Sequence, residues 1–477
     1  MSSSEPPPGR TLRPSLGLAC GALVAALAWY LGLRPLDDNS LFTHLATGRL
    51  ILERGSVPST DPYTFTALGE PWTVQSWLPS WAYATVEALG GGTGLRVLTG
   101  LLVASIAALG WALTARATSL LARLGLITLF LVASATMWSE RPLLVGLIGI
   151  GLTALAEEGR LRPIWLLPFG WLWANSHGSF PLGLGLLVVA AAGRRLDGED
   201  PGPALRSLGW LAGGAVCGAM GPLGLRALTF PVALLGRGDV LQHVQEWRSP
   251  AFDSLGQRSF LALLLLAALL LVRRPSWRSG LLLVVFGAAA LVSVRNAPVA
   301  ALALLGTMAP ALPAVGSLRA ADRGPLAPAL LVTAVLLAVV LGTARLEEPD
   351  FDLSGYPVAE LAHLRSHAVD TSAHLLAAPD VVGNLRELLD GPRGDVFADD
   401  RFDMFPADVL DDHLALLDGR GVRSVLDDHS IELVVARSTA PPAQVLMADP
   451  EWRVLVRSDS WVLGCRRGAQ LAPDLRC

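Results

Sequence analysis

Residues Asp37–Tyr63 read DDNSLFTHLATGRLILERGSVPSTDPY. They belong to a loop, Arg34–Gly92, that separates two long apolar segments. The loop carries adjacent carboxylates (Asp37, Asp38), a histidine (His44), a Gly-Arg pair, an Asp-Pro turn and three tryptophans, Trp72, Trp77 and Trp81. Long connections inside compact proteins usually have a task. This one, with carboxylates at the edge of an apolar segment, reads as chemistry carried out at a bilayer surface.

Composition makes the bilayer the expected solvent. The 477 residues are 52% hydrophobic and 16% charged, and mean hydropathy is positive. Apolar runs of roughly 18 residues with almost no charge read as transmembrane helices. The net charge of −4 gives no footprint for a nucleic-acid partner. No lysine occurs, which fits GC-rich codon usage. Cys20 and Cys217 fall in apolar segments and read as packing residues. Cys465 and Cys477 lie in the tail and can pair if the tail is extracytoplasmic. No CxxC or His-rich zinc spacing, Walker motif, Rossmann glycine fingerprint or G-x-S-x-G occurs.

The fold expected is an α-helical polytopic membrane domain (residues 1–344) with about eleven spans, followed by a small α/β domain (345–477). The segments are Ser15–Leu33, Leu95–Ala115, Ser119–Met137, Pro142–Ala156, Pro163–Ala174, Phe180–Ala192, Leu208–Met220, Ser259–Val272, Gly280–Val294, Ala297–Ala314 and Leu326–Thr343. Leu223–Gly236, broken by Pro231, reads as re-entrant or interfacial. Arginines alternate between loops: Arg10 and Arg13; Arg116 and Arg123; Arg160 and Arg162; Arg194, Arg195 and Arg206; Arg273, Arg274 and Arg278; Arg319 and Arg323. The positive-inside rule puts these loops and the N-terminus in the cytoplasm, and Arg34–Gly92 and the tail outside the plasma membrane. In the tail, Ile431–Ala436, Trp452–Val456 and Trp461–Cys465 read as strands, and Leu385–Leu389 and Val409–Leu417 as helices.

Polar clusters then fall on the outer side: Glu140-Arg141, Asn175-Ser176-His177-Gly178, Gly221–Gly224, Glu246-Trp247 and Arg295-Asn296. Polar groups at membrane depth usually face a cavity or a partner, so one outward cavity is expected. Arg141 and Arg295 break the arginine alternation. They read either as interfacial arginines snorkelling to headgroups or as guanidiniums that recognise a phosphate. Asp37 and Asp38 read as hydrated loop carboxylates or as a base that deprotonates an acceptor hydroxyl. Adjacent side chains point oppositely in extended chain, so one of the two serves and the other orients it or holds a metal.

His44 opens an amphipathic segment whose apolar side is Leu45, Leu50, Ile51 and Leu52, lying along the membrane surface. It either binds the acceptor or phosphate, or packs. Asn175, His177 and Glu246 line a sugar or phosphate site, or cap helices and form ion pairs; a divalent metal at Glu246 stays open. Asp61-Pro62 is a turn. The tryptophans stack on sugars or anchor at the interface. Asp399-Asp400-Arg401 follows a strand in what reads as an accessory domain.

The first loop resembles that of bacterial polytopic proteins of the glycosyltransferase-C-like kind. The resemblance rests on Asp38-Asn39-Ser40, His44-Leu45-Ala46-Thr47-Gly48, Gly55–Thr64, Pro71-Trp72 and Trp77-Leu78. Similar patches are ERP (Glu140–Pro142), WANSHGSF (Trp173–Phe180), GPLG (Gly221–Gly224), QEWRSP (Gln245–Pro250), VRNAP (Val294–Pro298) and VFADDRFDMFP (Val396–Pro406). The resemblance implies a mannosyltransferase-like enzyme that moves a sugar from a polyprenyl-phosphate carrier to a membrane lipid, glycan or protein acceptor. It implies Asp38 as the catalytic acid residue of the first loop. It also implies a second acidic residue near Ser40, for which Asp37 is the available substitute. Arg141 and Arg295 would hold the carrier phosphate, and His44, Asn175, His177, Glu246 and Asn296 would shape the sugar and acceptor sites. The rival functions are a flippase or transporter, a ligase of lipid-linked glycans, and a non-catalytic envelope-glycan assembly protein.

Overall fold

A computed structural model of the chain describes residues 13–238, 245–369 and 376–477; Arg10 lies outside them. Each of the eleven apolar segments coincides with a helix, because hydropathy acts locally. In chain order these are α1 (Leu16–Gly32), α3 (Trp77–Leu113), α4 (Leu120–Ser134), α5 (Leu143–Glu157), α6 (Leu166–Ala174), α7 (Phe180–Leu196), α8 (Gly202–Gly218), α10 (Leu255–Arg273), α11 (Trp277–Val292), α12 (Ala297–Met308) and α13 (Leu326–Leu346). Two more helices precede or interrupt them: α2 (Asn39–Arg54) and α9 (Arg226–Leu235), which contains Pro231. Four apolar stretches are long enough to cross a membrane: Trp77–Arg116, Leu120–Met137, Leu255–Arg273 and Leu326–Leu346. The protein is largely helical and of the multi-pass membrane kind.

The core centres on α12. All its residues are buried, as an all-apolar helix requires. The basic loops gather at one end of the bundle. There Glu157 accepts from Arg194 Nε at 2.6 Å and pairs with Arg278. At the same end Arg160 Nη1 donates to Ala112 O (2.6 Å), and Arg274 Nη1 to Pro310 O (2.6 Å). At the other end Arg96, fully buried, donates to Leu33 O (3.0 Å), Glu348 O (2.8 Å) and Arg345 O (2.5 Å). It thus satisfies carbonyls left over at the C-termini of α1 and α13.

The first loop is more ordered than its sequence suggests. α3 begins at Trp77, well before the expected span, and Gly91 interrupts it with φ 61° and ψ −156°. That conformation is open to glycine alone at low cost. Asp38 caps α2 through Ser40 N. Leu45, Leu50 and Ile51 are buried against protein, whereas Leu52 is exposed, so the helix does not simply float on a bilayer. α2 crosses α3 at Gly48, where an added Cβ would stand 1.9 Å from Ser80 O and 2.7 Å from Ala84 Cβ. Gly48→Ala is therefore expected to force the helices apart and destabilise the protein by at least about 1–3 kcal/mol. Thermal unfolding in detergent checks this; an unchanged midpoint contradicts the packing.

The tail builds a mixed sheet of order β1-β2-β4-β3 from β1 (Leu376–Ala377), β2 (Leu433–Arg437), β3 (Trp452–Arg457) and β4 (Trp461–Arg466). β1 runs parallel to β2, and the other pairs are antiparallel. Helices α14 (Val358–Ser366), α15 (Asp380–Asp390) and α16 (Ala407–Asp418) pack around it. Cys465 and Cys477 form a disulfide. The first loop extends this domain: Thr64 bridges Val396, Phe65 N donates to Val396 O (3.1 Å), and Thr66 Oγ1 to Phe397 O (2.5 Å).

Candidate functional site

At the end opposite the basic loops, a cavity of about 1040 Å³ opens between the bundle, the first loop and the tail. That exceeds what one small ligand fills and suits two substrates meeting. The N-terminal ends of α2, α5, α7 and α12 converge on it, since Asp38, Pro142, Ser179 and Asn296 occupy their cap positions. Helix N-termini present partial positive charge and unpaired N–H groups, favouring an anion. The far wall is apolar, with Phe230, Pro231, Leu234 and Leu235 of α9 facing Leu410 and Leu414 of α16.

Arg141 stands at the centre of the polar end. Its Nε donates to Asp38 Oδ2 at 2.6 Å, and its Nη1 pairs with Glu246. Burial alone would lower its pKa, but Asp38 and Glu246 raise it further still, so it is a permanent cation. Asp38 has both oxygens engaged, because Oδ1 accepts from Ser40 N at 2.9 Å. It is 8% exposed and stands behind the cavity wall. Asp37 is exposed, lies 3.3 Å from Arg34 Nη2, and is outside the cavity.

Arg295 and Asn296 both reach the cavity. Arg295 Nη2 donates to His177 Nε2 at 2.9 Å, and the guanidinium lies 5.6 Å from the Trp247 ring. Among the described residues no carboxylate forms an ion pair with Arg295. His177 Nδ1 lies 2.8 Å from Ser179 Oγ and 3.2 Å from Ser179 N. A guanidinium can only donate, so the Arg295 contact uses the tautomer with its lone pair on Nε2 and its proton on Nδ1 toward Ser179 Oγ, which excludes a bond from Ser179 N at the same time. Burial, and then the charge of Arg295, push the His177 pKa well down, keeping it neutral. Asn296 Nδ2 donates to Ala289 O at 3.2 Å, finishing the C-terminus of α11.

Asn175 does not reach the cavity. It is fully buried, accepting from Trp77 Nε1 (2.9 Å) and donating to Trp171 O (2.9 Å), and so it latches the first loop to α6. His44 does reach the cavity. Its Nδ1 lies 2.9 Å from Ser80 Oγ, which itself donates to Ser76 O (3.0 Å); this leaves His44 Nε2 as an acceptor. Burial first, with Asp38 opposing and Arg141 reinforcing, lowers its pKa to about 4. Trp72 lines the cavity, Trp77 is spent on Asn175, and Trp81 is exposed.

The tail supplies what the sequence reading placed in an accessory domain. Asp380, Asp400, Arg401 and Asp403 all line the cavity. Ser40 Oγ donates to Asp400 Oδ2 (2.5 Å) and Thr43 Oγ1 to Asp400 Oδ1 (3.1 Å). The carboxylate facing Ser40 is therefore Asp400, not Asp37. Asn39 Nδ2 donates to Asp380 Oδ2 at 3.2 Å. Burial raises the pKa of both Asp380 and Asp403 to about 6, with the charge of Asp400 adding to each shift. Arg401 fixes the tail by donating to Asp61 Oδ1 (2.6 Å) and Asp399 Oδ1 (2.9 Å). The visible signal was VFADDRFDMFP, a carboxylate-rich turn after an apolar strand; nothing local said that it folds back onto the first loop. Among the described residues no group of three or more His, Cys, Asp or Glu is arranged to hold a metal ion.

No protein-family profile matches the chain, and no curated protein is similar to it in sequence. Among solved structures it is similar to a crystal structure of the Archaeoglobus fulgidus oligosaccharyltransferase in complex with Zn and sulfate. The TM-score is 0.49 at 12% identity, over 87% of this chain and 68% of that one.

Proposed function

We propose that this protein is a membrane glycosyltransferase that moves a sugar from a polyprenyl-phosphate carrier to a lipid, glycan or protein acceptor outside the cell membrane. The observation that carries the proposal is Arg295: a cation in the cavity beside a neutral imidazole, at the N-terminus of the central helix, with no carboxylate ion-paired to it among the described residues. Such a site has charge to spare for an anion, and a guanidinium matches phosphate oxygens. Arg141, oriented by Asp38 and Glu246, adds a second fixed positive charge. As the sugar–phosphate bond breaks, negative charge builds on the leaving phosphate, and preorganised cations stabilise that state more than the ground state. The apolar wall at Phe230, Leu234 and Leu235 suits the first isoprene units of the carrier. His44 Nε2 and Asn296 are placed to hydrogen-bond sugar hydroxyls.

The first-loop resemblance to glycosyltransferase-C-like proteins supports this reading. The gathering of basic loops at one end supports a cytoplasmic placement for that end. The Cys465–Cys477 disulfide supports an oxidising, extracytoplasmic side for the tail. Binding of undecaprenyl phosphate to the protein in nanodiscs tests the phosphate assignment. Arg295→Ala is expected to weaken it about 10–100-fold, the worth of one charge-assisted hydrogen bond. Equal affinity in both proteins contradicts the proposal.

A further inference from the structure

Resting on the transferase reading above, we infer that Asp400 of the C-terminal domain, and not Asp38 of the first loop, takes the proton from the acceptor hydroxyl. The geometry decides between them. Asp38 is ion-paired to Arg141, nearly buried, and does not line the cavity. Glu246 is committed to Arg141, and Asp37 faces away beside Arg34. Asp400 lines the cavity together with Arg141, Arg295 and His44. Ser40 and Thr43, on the helix that carries His44, hold one hydroxyl against each of its oxygens. A carboxylate accepts about four hydrogen bonds, so a lone pair remains for a substrate proton.

The surroundings suit a base. Burial, followed by the charge of Asp399, raises the Asp400 pKa; the hydrogen bonds of Ser40 and Asn384 and the charge of Arg141 oppose the shift. Asp380 on α15, and Asp403 on Asp400's own segment, also face it. A carboxylate raised in this way is a stronger proton acceptor near neutral pH than an ordinary aspartate.

The step balances without a co-reactant. The acceptor oxygen bonds to the anomeric carbon of the donor, and the bond from that carbon to the phosphate oxygen breaks. The electron pair leaves with polyprenyl phosphate, held by Arg295 and Arg141, and the acceptor proton ends on an Asp400 carboxylate oxygen. The tail is then part of the catalytic apparatus, and Ser40 is serine because its hydroxyl positions a carboxylate that comes from elsewhere in the chain.

The test uses full-length protein in liposomes, a panel of radiolabelled undecaprenyl-phosphate hexoses as donors, and a membrane lipid and glycan extract as acceptor. Asp400→Asn is expected to slow transfer at least about 100-fold while leaving undecaprenyl phosphate affinity within about 2-fold, and Asp400→Glu to restore part of the rate. Asp38→Asn is expected to weaken undecaprenyl phosphate binding, because Arg141 loses its anchor. Ser40→Ala removes a hydrogen bond that holds the Asp400 pKa down, so it is expected to move the acid limb of the rate to higher pH. Full transfer by Asp400→Asn overturns the inference, as does loss of transfer in Asp380→Asn with Asp400→Asn active. If Asp400→Asn fails to fold, an unmoved acid limb in Ser40→Ala overturns it. A wild-type protein that transfers no sugar from any donor overturns the underlying transferase reading instead.

Discussion

Arg141→Ala is expected to lose stability and donor binding together. The wild-type guanidinium ties Asp38, on the first loop, to Glu246, in the segment before α10. Removing it leaves a nearly buried carboxylate and a partly buried one without their ion-pair partner. Breaking one partner of a buried pair costs about 3–5 kcal/mol, mostly as the penalty on the charge left behind. Replacing both Arg141 and Asp38 by neutral residues should therefore recover much of the stability but none of the phosphate affinity. Thermal unfolding in detergent and undecaprenyl phosphate binding read the two effects separately. If Arg141→Ala melts like the wild type, the ion-pair account is wrong.

Arg401→Ala is expected to undock the tail. Arg401 reaches Asp61 of the first loop and Asp399 beside it, and its guanidinium lies 4.3 Å from the Trp72 ring and 4.9 Å from that of Tyr63. Its loss strands Asp61 and Asp399 in a buried site, again at about 3–5 kcal/mol. Undocking carries Asp400 away from Ser40 and Thr43, so transfer should fall with it. Faster limited proteolysis between the bundle and the tail measures the release; unchanged proteolysis contradicts it.

The same pair sets a pH dependence. Burial alone would raise the Asp399 pKa, but Arg401 outweighs it and the net shift is downward. A depressed carboxylate pKa contributes stability above the unfolded value of about 4, and that contribution is lost as pH falls through the folded pKa. The stability gap between wild type and Arg401→Ala is thus expected to be full at pH 7 and to shrink below about pH 4. Unfolding midpoints across that range check the sign.

Local signals in the chain predicted what is locally determined. Hydropathy located the apolar helices, since a long apolar run needs no distant partner to declare itself, but of the eleven expected spans four are long enough to cross a membrane. Arg141 and Arg295 stood out because they interrupt an otherwise regular arginine alternation, and both reach the cavity. The helix at Trp77–Gly90 was hidden by three consecutive glycines, which mask its continuity with the span after Gly91. Asn175 was a reasonable ligand by type, but its amide is fully spent on Trp77 and Trp171, and no sequence pattern reveals such satisfaction. Asp400 was illegible for a different reason: its partner Ser40 is 360 residues away, and only tertiary docking brings a tail carboxylate to the first loop.

Sugar transfer is read most directly as movement of label by purified protein in liposomes supplied with radiolabelled undecaprenyl-phosphate hexoses and a membrane lipid and glycan extract. Label is expected to move to the acceptor, and Arg295→Ala, still folded, to be slower by about 100-fold or more, the usual effect of deleting one preorganised charge-stabilising group. Folded wild-type protein that leaves every donor intact contradicts it.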